Sequence, residues 1–536
     1  MNDREYNLLD EKWILVRNRD CQIEEVSLID LFQNAHLYEG LAGEMVTQDV
    51  SILRFLLAIL YTVFWRVDEN GEEDELGDSV GEAIRRWGAI WKMGHFPKEP
   101  ISEYLYSYKD RFWLFDPDRP FWQSNEASYG TFNKAGKLIG EICESSNKKS
   151  LFCHRLEKEK DSISYAEAVR WLLHTNGYDD CSIKKPSPKA SYLSELGLVA
   201  AVGKNLFETL LLNLVPVKDG REAWEAEPKP VWESRKIVVE PNRLISVPDN
   251  QAELLTLQSR HMLLTRENGR VTGYTSCGGD CFDTKDAFEE QMSIWKYRES
   301  KTEAGAFYPA KHNMSRQMWR NLSSILASRE KGENVHLSGL LSWLGSEEAE
   351  SILGYEYTIE LMTVGTEYGS MHCGLTRVYE DSLELYLSLL SGKKEIFLYM
   401  IQDELLLCDR VAEEIGKLAW RVAMAAGSDD ERSKTERNLA VDRFYFDLDI
   451  PCREWISSID PVSGKELDEY RIEWRENTVK NVARINALEI VDNAGPNALT
   501  SRTVRVAERS GKSQEIIYSA AKAYNQFLNA FHRIYS

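Results

Sequence analysis

The sequence predicts an α+β protein, in which a large mixed N-terminal domain of residues 1–382 precedes an all-α C-terminal four-helix bundle of residues 383–536. Three observations favour this fold class. The chain has 536 residues, of which 43% are hydrophobic, and this length exceeds one ordinary core. Runs of β-branched and aromatic residues between Gly and Asn turns extend to about Ser382. Beyond that residue, apolar positions recur every three or four residues and predict helices alone.

The first part of the chain combines short strands with buried helices. Residues 6–32 predict a strand, a tight connection, a second short strand and the start of a helix. Residues 50–65 are the most apolar stretch, yet they are shorter than the roughly 20 apolar residues of a membrane span. Because Arg54 also interrupts this stretch, we expect a buried core helix rather than a membrane segment.

Two local motifs mark the middle of the chain. Ser164 lies three residues before Glu167, a spacing typical of a capping box at the start of a helix. Asn268–Gly269 separates two apolar runs and predicts a tight β-hairpin turn. We therefore expect a helix after Ser164 and a pair of antiparallel strands around Asn268.

The region after residue 382 predicts four helices joined by short connections, which is the pattern of a four-helix bundle. Segments 433–458, 464–493 and 497–535 follow the first, longest helix, with turns at Asp460-Pro461 and Gly495-Pro496. The apolar seam of that first helix consists of Ile401, Leu405, Cys408, Ala412, Ile415, Ala419 and Val422.

The charge, cysteine content and missing catalytic motifs argue against several classes of protein. The formal net charge of −21 argues against a general nucleic-acid coat protein and restricts DNA contact to local basic loops. Nine Cys and a polar start without an apolar leader predict reduced thiols in a cytoplasmic protein that does not associate with membranes. The sequence contains no P-loop, HExxH or GxSxG pattern, so we expect neither enzymatic activity nor a cofactor.

Four short segments occur in an order that resembles one known family. They are YNLLDEKWILVR at residues 6–17, NLFETLLLN at 205–213, PVWE at 230–233 and LTLQSR at 255–260. With the layout of a mixed domain before a helical bundle, they resemble the CasA family, the large subunit of the type I-E CRISPR complex Cascade.

The resemblance implies a non-catalytic subunit that recognises the protospacer-adjacent motif (PAM) in double-stranded DNA. It also implies that the subunit promotes local unwinding for R-loop formation and recruits a separate helicase-nuclease. The implied partners are a guide RNA with the backbone, small and guide-end subunits of Cascade, the target DNA and the helicase-nuclease.

The resemblance also assigns residues that contact nucleic acid. The alternative interpretation of each is an ordinary surface loop, turn or strand without such a contact. A loop near the guide-RNA end and the PAM contains Asn147, Lys148, Lys149, Phe152, Cys153 and His154. A turn over residues 363–374, after a strand, presents Ser370, Met371 and His372, where the family often has a Gln wedge. Lys184 and Lys185 replace a glycine-rich loop of some relatives, and Lys296 and Arg298 alternate with aromatic residues.

Two other patterns remain. Four basic residues are spaced 3, 4 and 3 apart and predict one basic stripe on a bundle helix: Arg502, Arg505, Arg509 and Lys512. This stripe either follows DNA phosphates or is an ordinary solvated face. Cys277 and Cys281 form a CxxxC pair, one residue longer than the common zinc spacing. The alternative functions are therefore a zinc-dependent hydrolase, which metal analysis would identify, and an acidic protein-binding scaffold, which would lack salt-dependent DNA affinity.

Overall fold

The computed structural model describes residues 4–142, 155–179, 191–218, 222–224, 226–234, 244–245, 248–300, 304–326, 334–369, 375–507 and 513–535. Its contacts divide the chain into two compact units, Met1–Ser382 and Leu383–Ser536. The first unit mixes helices and strands, and the second is mainly helical. The roles assigned to the two domains stay predictions.

The described helices of the first unit are α1 Leu28–Asn34, α2 Val46–Arg66, α3 Val80–Met93, α4 Lys98–Ser107, α5 Ala135–Leu138, α6 Glu157–Asp161, α7 Tyr165–Tyr178, α8 Leu206–Asn213, α9 Gln251–Leu255, α10 Leu322–Ile325, α11 Gly339–Leu344 and α12 Glu347–Leu353. The strands that begin in this unit are β1 Glu5–Asn7, β2 Ile14–Asn18, β3 Ile23–Val26, β4 Tyr38–Leu41, β5 Trp113–Phe115, β6 Thr131–Lys134, β7 Leu198–Val202, β8 Leu244–Ile245, β9 Arg260–Glu267, β10 Arg270–Gly278, β11 Cys281–Phe282, β12 Trp295–Arg298, β13 Ala306–Pro309, β14 Thr358–Tyr368 and β15 Leu375–Tyr386.

These strands form small sheets of two or three members rather than one continuous sheet. The three-stranded sheets have the orders β3-β2-β4, β6-β10-β9 and β15-β14-β7, and the pairs are β1-β5, β11-β8 and β12-β13. The predicted N-terminal order is confirmed, because β2, β3 and α1 follow one another and the Ser27 hydroxyl caps α1 by accepting from the Asp30 amide at 3.2 Å.

Helix α2 forms the centre of the first unit. By length and composition it is the one described helix that could cross a membrane, but 83% of its most apolar window is buried inside the protein. Arg54, which interrupts its apolar sequence, donates two hydrogen bonds to Glu290 at 2.8 and 2.9 Å. The predicted core helix is therefore confirmed, with a buried ion pair that satisfies its charged residue.

The predicted hairpin is also confirmed. Strands β9 and β10 pair with Glu267 opposite Arg270. Asn268 and Gly269 form the turn with φ values of 51° and 73°. This left-handed pair matches the right-handed twist of the strands and favours Asn followed by Gly.

The second unit contains helices α13 Glu395–Ala426, α14 Asp430–Ser457, α15 Leu467–Ile472, α16 Lys480–Asp492, α17 Pro496–Leu499 and α18 Ala520–Tyr535, with a π-helical turn Glu473–Val479 between α15 and α16. Helix α13 contacts α14, α16 and α18. Six of its seven predicted seam residues are buried, and Leu405 is half-buried. The predicted helices over 433–458 and 464–493 are confirmed, whereas their four-helix arrangement stays a prediction.

The prediction of one helix over residues 497–535, and with it the all-α character of this unit, is wrong. Strands β16 Arg502–Ala507 and β17 Ser513–Tyr518 form an antiparallel hairpin between α17 and α18. Their segments contain Thr503-Val504 and Ile516-Ile517, and such β-branched residues favour extended backbone over helix.

Candidate nucleic-acid interface

Helix α7 lies at the base of three segments that the sequence analysis assigned to nucleic-acid contact. The Ser164 hydroxyl begins this helix by accepting from the Glu167 amide at 3.2 Å. The reciprocal half of the predicted capping box is replaced, because the Glu167 carboxylate instead accepts from Arg155 at 2.5 Å and from the Trp171 indole at 3.1 Å. The start of α7 is thus tied to the residue that follows segment 143–154.

The two ends of segment 143–154 are held together beside α7. The Arg155 guanidinium forms ion pairs with Glu141 at 3.2 Å and Glu167 at 2.5 Å. Gly140 packs so closely on the helix that a Cβ there would lie 2.6 Å from the His174 ring. One arginine therefore connects both ends of this segment to the helix.

The two ends of segment 180–190 meet at Ser259–Arg260. On one side, Asp179 accepts from Arg260 Nε at 2.8 Å, and both side chains are buried. On the other side, the Ser259 hydroxyl accepts from the Tyr192 amide at 3.1 Å. Asn176, in the last turn of α7, also donates to the Arg260 carbonyl at 3.0 Å. These bonds fix where the predicted Lys184–Lys185 loop leaves and rejoins the body.

The end of the β14–β15 hairpin adjoins the same place. Strand β14 ends at Tyr368, whose hydroxyl donates to the carbonyl of Tyr178 at 2.7 Å. Tyr178 is the last residue of α7, two positions before segment 180–190 begins. The hairpin connection and the lysine segment are therefore anchored at a common point.

Helix α7 itself is fixed by buried polar contacts. Arg170 forms ion pairs with Glu44 at 2.5 Å and Glu25 at 2.9 Å. Burial disfavours the charged form of Glu44, but the Arg170 guanidinium and further hydrogen bonds together hold the pKa of Glu44 below its ordinary value. His174 lies 3.0 Å from the Thr47 hydroxyl, and burial lowers its pKa to about 4, so its ring is neutral near pH 7.

Most predicted contact residues lie outside the described part of the chain: Asn147, Lys148, Lys149, Phe152, Cys153, His154, Lys184, Lys185, Ser370, Met371, His372, Arg509 and Lys512. One predicted boundary is corrected. The turn expected over residues 363–374 starts later, because β14 continues through Tyr368 before the chain reaches Ser370. Residues 363–368 pair as strand instead of forming the turn.

Lys296 and Arg298 belong to a separate two-stranded sheet, β12-β13. Both are exposed, while Trp295 and Tyr297, which alternate with them along the strand, are half-buried. The Arg298 guanidinium lies 4.8 Å from the centre of the Tyr308 ring, and Tyr308 pairs with Lys296 in the register. The predicted alternation of basic and aromatic residues is present, with both cations on the exposed face.

The predicted basic stripe in the second unit is wrong. Arg502 and Arg505 belong to strand β16, and on a strand a spacing of three puts two positions on opposite faces. Arg502 packs against Gly427, the left-handed residue that ends α13, where a Cβ would come within 2.0 Å of its guanidinium. A cation at this position complements the partial negative charge of the helix C-terminus.

The zinc alternative gains no support from the described residues. None of their His, Cys, Asp and Glu side chains form a group of three or more suited to a metal ion. Cys277 lies in β10 with a free thiol, and burial raises the pKa of that thiol. A raised pKa disfavours the thiolate that zinc binds. Cys281 begins the short strand β11.

The sequence analysis missed the residues that anchor the three segments: Arg155, Arg260 and Tyr368. Their partners Glu167, Asp179 and Tyr178 are 12, 81 and 190 positions away in the chain. Local patterns do not mark such contacts, since only the tertiary fold brings the partners together.

Comparisons with known proteins agree with the resemblance seen in the sequence. The family model of CRISPR-associated protein Cse1 matches residues 7–485. The CRISPR-associated protein CasA/Cse1 of Thermus thermophilus is 25% identical over 495 residues, which are 88% of this chain and 89% of that protein.

Solved structures share the fold. Thermobifida fusca Cse1 superposes with a TM-score of 0.83 at 23% identity, over 99% of this chain and 98% of that chain. A chain of a CRISPR RNA-guided surveillance complex superposes with a TM-score of 0.68 at 17% identity, over 99% of both chains. Since the family model covers most of the sequence, this chain belongs to the CRISPR-associated protein Cse1 family.

Proposed function

We propose that this chain is the non-catalytic large subunit of a type I-E Cascade, an RNA-guided surveillance complex of the cytoplasm. In this role it recognises the PAM in double-stranded DNA, promotes local unwinding for R-loop formation and recruits a helicase-nuclease. It needs no cofactor for these steps. Base pairing with the guide RNA reads the target sequence, while the protein reads only the short motif.

The observation that best supports this proposal is the common anchoring of three segments on α7. Arg155 follows segment 143–154, Asp179 precedes segment 180–190, and Tyr368 precedes the hairpin connection. A protein that reads a short DNA motif needs contacts both to phosphates and to bases. Three loops that leave the body along one helix are consistent with such contacts.

The residues of these segments suit complementary tasks. Lys148, Lys149, Lys184 and Lys185 neutralise phosphates, although the net charge of the whole chain is −21. Met371 is an apolar wedge of the type that unstacks base steps. Phe152 is suited to dock or wedge at the DNA. In this proposal the helices of the second unit form the four-helix bundle that supports the opened DNA and contacts the small subunits.

The first test is target selection by the assembled complex. The chain is co-expressed with Cascade subunits and a guide RNA, and binding is measured on duplexes with a randomised PAM. We expect wild type to select a short set of motifs. The triple variant Phe152→Ala, Met371→Ala, His372→Ala should assemble but lose this selection. Normal selection by the variant would contradict these residue assignments, and failure of wild type to assemble would contradict the proposed function.

A second pair of variants tests the anchoring itself. Tyr368→Phe removes only the hydroxyl that donates to Tyr178, whereas Tyr355→Phe makes the same change at an exposed position. One hydrogen bond stabilises by about 1 kcal/mol, so Tyr368→Phe should weaken PAM-dependent binding roughly fivefold. Equal binding by the two variants would mean that the anchor does not position the interface.

A further inference from the structure

The β14–β15 hairpin extends past the strand that supports its edge. Strand β7 begins at Leu198 and, among the described residues, pairs with β14 only as far as Val364. Strand β14 continues to Tyr368, so residues 365–368 extend about 13 Å beyond this pairing, at 3.3 Å for each residue. A two-stranded ribbon on its own is only marginally stable in water. The part of the hairpin that leads to the proposed wedge therefore needs support from outside the sheet.

Residues 312–318, the brace, cover one face of this extension. Met314 packs on Gly365, where an added Cβ would lie 3.3 Å from Met314 Cε. On the neighbouring strand, the Tyr379 hydroxyl donates to the carbonyl of Arg316 at 3.3 Å. Gly365 is buried although it lies past the end of the pairing with β7. The brace therefore packs on a part of the hairpin that β7 does not reach.

Both ends of the brace are bonded to the sheet. At its start, the buried ring of His312 donates from Nε2 to the carbonyl of Leu198 at 2.8 Å, at the last pair between β7 and β14. At its end, the Met318 amide donates to Oδ2 of Asp381 in β15 at 2.6 Å. The strand order is β15-β14-β7. The brace is thus bonded to both outer strands of this sheet and packs on the middle one.

The opposite face of the extension is held by α7. Tyr368, whose hydroxyl donates to the carbonyl of Tyr178 at 2.7 Å, lies three residues after Gly365. Since side chains of a strand alternate between its faces, positions 365 and 368 lie on opposite faces. The hairpin is therefore held from both sides before the chain reaches Ser370.

We propose that the brace positions the β14–β15 hairpin for strand separation in the target DNA. Unstacking base steps costs free energy, and a wedge that moves away under this load does not separate them. Functional side chains need a support that holds them within roughly 0.5 Å. Met314, Tyr379 and Asp381 are then positioning residues, which act on DNA only through the hairpin. This role rests on the proposed function, because the wedge residue Met371 belongs to that function.

The test compares two target DNAs that are bound by the assembled complex with its guide RNA. Both contain the selected PAM and the same target, but one is fully paired and the other has mismatched, already open base pairs next to the PAM. The double variant Met314→Ala, Tyr379→Phe removes a packing contact and a hydrogen bond of the brace. We expect it to bind the paired DNA roughly tenfold more weakly than wild type. It should bind the open DNA as tightly as wild type, because that DNA needs no strand separation.

Two further variants serve as controls. Met93→Ala with Tyr355→Phe makes the same two changes at exposed positions and should match wild type on both DNAs. Met314→Leu keeps the volume of the side chain and should also match wild type. Fluorescence of 2-aminopurine at the first target position reports the opening directly, and it should rise more slowly with the double variant alone.

Two results would overturn the proposal. One is equal weakening on paired and open DNA, which would mean that the brace serves only the fold. The other is unchanged binding of the paired DNA by the double variant. If the double variant does not assemble, Tyr379→Phe alone is compared in the same way, since it removes only a hydroxyl. Failure of wild type to select a PAM would instead contradict the proposed function, so the two failures are distinguishable.

Discussion

Within α7, His174 is a buried imidazole whose protonation the fold opposes. Its ordinary pKa is 6.5, and burial lowers this pKa to about 4 in the folded protein because it penalises the charged ring. Between these two pH values the unfolded chain binds more protons. Stability is therefore retained above pH 6.5 and lost as the pH falls towards 4, by about 3 kcal/mol from this residue.

The measurement for His174 is the melting temperature of wild type and His174→Gln between pH 8 and pH 4. We expect wild type to lose stability relative to the variant below pH 6.5. The comparison is needed because Asp49 acts in the opposite direction: burial raises its pKa to about 7, so its contribution is present at low pH and lost as the pH rises. Parallel curves for the two proteins would contradict the prediction.

The pair of Arg54 and Glu290 shows how the core helix tolerates a charge. Both side chains are at most 3% exposed, and Tyr192 also donates to Glu290 at 2.8 Å. Arg54→Met would leave a buried carboxylate without its cation, so we expect a loss of about 3–5 kcal/mol in the free energy of unfolding. Urea denaturation measures this loss.

Two comparisons qualify the Arg54 result. Lys434→Met removes a cation from the exposed pair with Asp430 and should leave the denaturation midpoint unchanged. Adding Glu290→Gln to Arg54→Met should restore part of the stability, because the uncompensated charge disappears. If the double variant is no more stable than Arg54→Met, the lost packing of the arginine is the main cost.

At the scale of elements, Gly140 packs closely on α7 beside one anchor of the proposed interface. A Cβ at Gly140 would lie 2.6 Å from the His174 ring and 2.7 Å from the Trp171 ring. Gly140→Ala should therefore destabilise the protein by about 1–3 kcal/mol. Gly81→Ala, in helix α3 with no atom within 4 Å of the new Cβ, should stabilise it by up to about 1 kcal/mol.

The melting temperatures of these two variants show whether each substitution stabilises or destabilises the protein. A fall for Gly140→Ala and a rise for Gly81→Ala are expected. A rise for both would show that the segment before residue 143 shifts away from α7 without cost.

The elements that could be predicted from the sequence carry their signals locally. The Asn268–Gly269 turn and the Ser164 cap depend on residues within three positions of one another, and both are confirmed. The hairpin at Arg502–Tyr518 was missed, because basic residues spaced 3, 4 and 3 apart imitate a helix face while the β-branched residues around them favour strands.

Remote contacts explain the other differences. Glu404, next to the predicted seam residue Leu405, is fully buried in α13. Arg475 binds its carboxylate at 2.6 and 2.7 Å from a position 71 residues later, inside the π-helical turn. The interface shows the same limit. Sequence and family resemblance named its loops, but the contacts of Arg155, Arg260 and Tyr368 that anchor them appear only in the fold.

For the whole molecule, net charge sets the conditions for binding DNA. A chain with a formal charge of −21 repels the phosphate backbone, so the isolated subunit should bind duplex weakly. In the assembled complex, affinity should fall steeply with salt. Changing Lys148, Lys149, Lys184 and Lys185 to Gln should reduce the slope of log K against log salt by roughly 3–4, about 0.9 for each phosphate contact.

The control for this salt series changes four lysines elsewhere in the chain, all exposed in the described structure, to Gln: Lys12, Lys92, Lys434 and Lys522. Fluorescence anisotropy of a labelled target duplex gives both slopes. Equal reductions in the two variants would mean that overall charge, rather than the segments anchored on α7, governs the interaction.

The common anchoring on α7 also has a genetic consequence. Substitutions at Arg155, Arg260 and Tyr368 lie far apart in the sequence, yet their partners Glu167, Asp179 and Tyr178 lie on one helix or directly after it. Substitutions with neighbouring partners show non-additive effects, whereas distant ones without a shared partner add. Changes at Arg260 and Tyr368, whose partners are consecutive residues, should therefore show epistasis in a selection for CRISPR immunity, whereas a change at Arg155 should combine additively with either.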